Sequence, residues 1–155
     1  GWIMRNSAVR VVAGCTVGVV LLVSLPATAR DDVIQMPIHD AMVTPDAQQK
    51  LDGSVKFFFG DTPHPAILQS FATLVANEKT NSVNKTALHA CQWAFLSALM
   101  KFQKRAEQLG ANAVVNIHSY YKREDVSSDT TIQCHDGFLM TGVALRGNFV
   151  KLADH

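Results

Sequence analysis

The stretch NKTALHACQWAFLSALMKFQKRAEQL, residues 84–109, decides the fold. Leu88, Cys91, Phe95, Leu99, Phe102, Ala106 and Leu109 recur at three- and four-residue intervals, one apolar stripe on a predicted helix. Trp93, Leu96 and Met100 add a second stripe, which reads as wide burial of the N-terminal half. Asn84 is placed as the N-cap and Gly110 as the C-terminal stop. Lys101, Lys104 and Arg105 are assigned to the last turns, where cations complement the helix dipole. That trio reads as a solvated face, not a nucleic-acid patch.

Outward from the helix the period changes from 3.6 to 2. Downstream, 111–121 (ANAVVNIHSYY) alternates as a central strand, and 122–129 (KREDVSSD) as an exposed hairpin loop. Thr130–Cys134 and Gly137–Leu152 make the last strand region. Its glycines at 137, 142 and 147 point to bulges or close backbone approach. Upstream, 32–38 (DVIQMPI) reads as a strand that Pro37 pushes to an edge. Thr44 and Pro45 open one or two helical turns, and 54–59 (SVKFFF) is an aromatic-rich strand ended by Gly60. The two prolines of 61–65 (DTPHP) mark a loop, and 71–80 (FATLVANEKT) favours strand over helix. The sum is an α+β domain: one long helix, 84–109, packed on a mostly antiparallel sheet.

Of 155 residues, 48% are hydrophobic and 17% charged, which excludes a disordered chain. Residues 1–3 precede Met4 and read as an upstream extension or expression scar, and 4–29 as a secretory signal peptide. Arg5 and Arg10 give its positive start, 11–25 its uncharged run, and Ala27 and Ala29 a cleavage site before Arg30. Fifteen apolar residues rise only ~22 Å as a helix, short of a ~30 Å bilayer core, so a retained anchor is the weaker reading. Cys15 sits in a lipobox-like VAGC, a third reading opposed by the apolar run that follows it. Residues 30–155 then form a single domain carrying 12 basic and 13 acidic residues. A near-neutral export product has no footprint for DNA or, once the signal is removed, for a membrane.

That exported portion keeps two cysteines, Cys91 and Cys134, an even count that favours a disulfide in an oxidising compartment. Closing a loop of roughly 44 residues would stabilise by ~4 kcal/mol. Cys91 lies on the helix stripe that faces the sheet, and Cys134 on a strand the helix should cover. Two buried free thiols, or a metal site with His89 and His135, are the alternatives. Tight zinc spacing is missing.

No catalytic residue, resident metal or cofactor is assigned. Gly142 and Gly147 frame a G-x-x-x-x-G, but Asn148-Phe149 follow where a phosphate loop needs Lys and Ser/Thr. Cys91-Gln92-Trp93 faintly echoes a papain-type nucleophile, yet its thiol lies on an apolar stripe. Asn84-Lys85-Thr86 fits a glycosylation triplet that a bacterial-type signal makes idle. The six histidines are scattered, and His118 on its strand reads as structurally satisfied.

The segment 109–117 (LGANAVVNI), between the long helix and 142–150 (GVALRGNFV), resembles the YbjQ/RcsF-like superfamily. Phe58-Phe59-Gly60, 91–98 (CQWAFLSA), 119–122 (SYYK) and 126–128 (VSS) are similar to an exported bacterial branch often labelled excinuclease ATPase subunit. That label requires phosphate loops and zinc cysteines this chain lacks. The resemblance implies a small α+β domain without known catalysis. RcsF-like lipoproteins have two disulfides where one is available here, and YbjQ-like relatives form rings, which leaves a homo-oligomer open. The expectation is a periplasmic or secreted, non-enzymatic protein acting through protein–protein contact in the bacterial envelope. A small-molecule or metal-binding periplasmic protein is the alternative, and a nucleotide-dependent DNA-repair component is disfavoured.

Overall fold

The computed structural model describes residues 13–22 and 31–154; the expected cleavage site at Ala29 and Arg30 lies outside them. In chain order the elements are β1 (Asp31–Pro37), α1 (Ile38–Met42), α2 (Pro45–Lys50), β2 (Lys56–Phe59) and β3 (Ile67–Asn81). Then come α3 (Ala87–Leu109), β4 (Ala113–Ser119), a 3₁₀ turn (Tyr121–Arg123), β5 (Thr131–Gly137) and β6 (Met140–Leu152). The α+β architecture read from the sequence is the one observed. One helix, α1, was not foreseen. Cys134 lies inside β5 rather than ending its strand.

The strands form one curled, mixed sheet in the order β1-β5-β6-β4-β2, with β3 also paired to β6. β6 is the hub. It pairs antiparallel with β3 along its whole length, with β4 over its C-terminal half and with β5 at its start. Among the described strands only β2 and β4 run parallel. β1 closes one edge and ends at Pro37, where a missing ladder donor costs least.

α3 packs on the inner face of this sheet. Cys91, Phe95, Leu99, Phe102 and Ala106 of its stripe are fully buried, as the periodicity requires. Two readings at its N-terminus need correction. Thr86, not Asn84, is the N-cap, its hydroxyl accepting from His89 N at 3.1 Å. Asn84 instead takes a left-handed conformation, φ 62°, in the turn after β3. Leu88, on the first turn, is 46% exposed and does not join the buried stripe. Met100 of the second stripe also faces outward, whereas Leu96 is buried. At the other end Gly110 adopts φ 79° and closes the helix as expected. The final turn contains no basic residue, so Lys101, Lys104 and Arg105 stand upstream of the zone where the dipole acts.

β6 also explains how tightly the core closes beneath the helix. A Cβ on Gly147 would lie 2.6 Å from Val114 Cγ1, 3.2 Å from Ile117 Cγ1 and 3.4 Å from Phe102 Cε2. Val114 is β-branched, buried and part of the central strand, so it cannot turn aside. Above Val114 and Ile117, Phe102 meets Phe149 edge-on, ring centroids 5.1 Å apart. Opposite Gly147 the β4 register slips between Val115 and His118, with Asn116 at φ 51°. This bulge returns Ile117 to the core and turns His118 to the outer face. Substituting Gly147→Ala should therefore cost ~1–3 kcal/mol. Denaturant titration measures it, and an unchanged midpoint would contradict the close approach.

Candidate functional site

Cys91 and Cys134 are joined in a disulfide, Cα atoms 5.8 Å apart, both wholly buried. The bond ties the N-terminal half of α3 to β5 and closes a span of 43 residues. It also spends both thiols. The alternative of a Cys/His metal site is thereby overturned, since a disulfide sulfur is no thiolate ligand. His89 is exposed on the first turn of α3, apart from the buried sulfurs. Among the described residues no cluster of three metal-ligating side chains occurs. Cys15 is exposed and unbonded. A buried bridge suits an exported protein, because such bonds persist in oxidising compartments. No described helix is long and apolar enough to cross a membrane.

The outer face of the sheet carries a polar cleft of about 490 Å³ between β4, β6 and the 121–130 loop. His118 lies at its centre. Its Nδ1 meets the Asn116 carbonyl at 2.7 Å and its Nε2 the Asp125 carboxylate at 2.6 Å. Arg146 approaches the same carboxylate at 3.4 Å and stacks its guanidinium 5.0 Å from the Tyr120 ring. The hydrogen bond from His118 holds the Asp125 carboxyl below the ordinary carboxylate range, with the Arg146 charge acting in the same direction. Both ring nitrogens of His118 face acceptors, so neither is free to take a nucleophile's proton. Ser127 lines the cleft without a hydrogen bond to that ring. The cluster welds a loop to a strand. No local pattern announces it, because the partner Asp125 arrives through a single bridge between Ser119 and Val126.

The SYYK residues have jobs of the same kind. Ser119 Oγ accepts from Gln133 N at 2.8 Å, Tyr120 backs Arg146, and Tyr121 lies flat on His135. His135 is 11% exposed at its side chain, with Asp31 Oδ1 3.5 Å from Nδ1. Burial pushes its pKa below 6.5, Lys122 adds to that, and Asp31 opposes it. G-x-x-x-x-G at 142–147 is strand interior in β6, as read.

A second large concave feature lies on the helix side of the sheet. A groove of about 420 Å³ runs between β3 and the C-terminal half of α3. Leu74, Phe102 and Phe149 supply its apolar floor, and Lys101, Lys104 and Arg105 its rim. Lys101 is paired with Glu78 of β3. Lys104 has no ion-pair partner among the described residues, and Arg105 bonds only the neutral Gln108 side chain, at 3.2 Å. Thus the cations displaced from the last turn face a groove. The family models, the curated proteins and the solved structures contain no match to this chain.

Two outcomes test these assignments. Replacing Cys91 and Cys134 together by Ala should cost ~2–5 kcal/mol and lower the melting temperature by several degrees. Thiol titration of the denatured, unreduced chain should detect neither sulfur. For His135, as pH falls through ~6.5 the unfolded chain binds a proton that the folded chain refuses, so stability declines on acidification. The His135→Phe variant should flatten that decline between pH ~7 and ~5. Parallel slopes for variant and parent would assign the decline elsewhere.

Proposed function

We propose that this chain is an exported, non-enzymatic protein that works by contact with another protein in the bacterial envelope, in the periplasm or as a secreted domain. A signal peptide cleaved between Ala29 and Arg30 and the resemblance to the YbjQ/RcsF-like superfamily support the setting. The observation that carries the contact reading is the groove beside α3. It is apolar at the floor, cationic at the rim and open along a sheet edge. Protein recognition favours such a surface, where an apolar centre supplies energy and a charged rim supplies orientation. The polar cleft around His118 is the competing location. Its charged groups are spent on one another, which favours a structural role for them.

Site-specific photocrosslinking tests the reading. A benzophenone side chain at Gln108, on the groove, should trap one adduct of defined mass in intact envelopes. Excess unlabelled protein should compete it away. The same group at Gln48, on α2, should trap none. Equal labelling from both positions, or none from either, would overturn the contact reading.

A further inference from the structure

We propose that the groove accepts an extended, acidic segment of a partner protein, added as a new strand to the free edge of β3. This rests on the contact reading and specifies its chemistry.

Three observations converge. First, Leu74, Val75 and Ala76 all line the groove, although successive strand side chains point to opposite faces. Leu74 and Ala76 share the face toward α3 and Val75 lies between them, so the cavity follows three consecutive residues of β3. Second, that edge has vacant hydrogen bonds. β3 pairs with β6 alone, and no other backbone group among the described residues bonds to positions 67–81. The register is unbroken from Ala72 to Asn81, so no bulge interrupts the edge where the groove lies. Four or five added residues would span ~13–17 Å of it. Third, Lys104 and Arg105 stand on the opposite wall with no carboxylate partner among the described residues. A strand between the walls would exchange main-chain hydrogen bonds with β3 while its acidic side chains met the two cations.

Charge also decides among occupants. Residues 1–30 contain no Asp or Glu, so the chain's own N-terminal segment cannot supply the complement. A second copy is disfavoured as well. Pairing two β3 edges antiparallel about a twofold axis normal to the sheet puts both α3 helices on one face. Their Lys104 and Arg105 pairs would then oppose each other.

The test uses the purified protein, disulfide intact, and labelled peptides. Acetyl-Glu-Val-Glu-Val-Glu-Val-amide should bind and shift the amide resonances of 73–79. Its Lys-for-Glu counterpart should bind at least tenfold more weakly. Methylating the nitrogens of one alternating set of residues should weaken binding tenfold or more, and methylating the other set less than twofold, since only one set faces β3. The variant Lys104→Glu/Arg105→Glu, changed at two exposed positions, should reverse the charge preference while keeping the parent's melting temperature. Equal effects of both methylated sets would overturn strand addition, and equal binding of both charges would overturn acidic selection. Binding to phosphatidylglycerol vesicles without peptide binding would assign the groove to a lipid surface. A concentration-dependent dimer that the peptide fails to dissolve would assign it to a second copy. An envelope adduct at Gln108 beside unselective peptides would sink this inference alone. Loss of the adduct beside selective peptides would sink only the envelope reading.

Discussion

Val114 and Ile117 of β4 close over β6 beneath the helix only because Gly147 puts no side chain in their way. The rest of the architecture depends on that close approach. β6 is the strand to which β3, β4 and β5 are all bonded, so the position of α3 over β6 sets its position over the whole sheet. With α3 seated there, Phe149, Val114 and Ile117 complete one face of the core. The same strand sends Val150 and Leu152 outward, where they join Ala113 and Val115 in a second, smaller apolar cluster. A period of two along β6 therefore builds two cores from one strand. An added methyl at 147 would not be felt locally alone, since the side chains it would strike, Val114 and Ile117, belong to β4 and to the core under α3.

Two anchors hold α3, and they act differently. Near its start the disulfide to Cys134 limits how far the unfolded chain can expand. Near its end the Phe102–Phe149 contact works by packing in the folded state. Between them Phe95 and Leu99 fill the core. The bridge sits on the β5 side of the sheet, whereas β3 borders the helix on the other side, where no covalent tie exists. A gap beside β3 thus leaves both anchors intact, and the groove occupies that gap.

What the sequence revealed follows from how local each signal is. Cys91 to Ala106 could be read because a helix stripe is a property of residues three and four apart. The Thr44-Pro45 start was equally local: Thr44 Oγ1 accepts from Ala47 N at 3.2 Å. At 84–86 the signal was a tie, since Asn and Thr both cap helices well. The turn leaving β3 broke it by demanding a positive φ, which Asn tolerates and Thr does not. The bulge at Asn116 could not be foreseen, because it forms in the pairing with β6, opposite Gly147, on a strand far along the chain. His118 was read as satisfied, but Asp125 and Arg146 became its neighbours only through the tertiary fold.

The cations of α3 show how a correct reading of residues can still assign them the wrong partner. Lys101, Lys104 and Arg105 look like charge placed to complement a helix dipole, whose influence fades within about one turn of the terminus. The helix runs on to Leu109, and its last turn carries Glu107 instead, a charge of the unfavourable sign there. A chain placing charge for the dipole alone would have done the reverse. Lys101 is accounted for by Glu78 across the groove. Lys104 and Arg105 are not, and solvation alone would let them stand on any exposed face of α3. They stand instead on the wall that faces the vacant hydrogen bonds of β3. Unpaired cations and unpaired backbone are each ordinary at a protein surface; across one apolar floor they define a slot whose complement is extended and acidic.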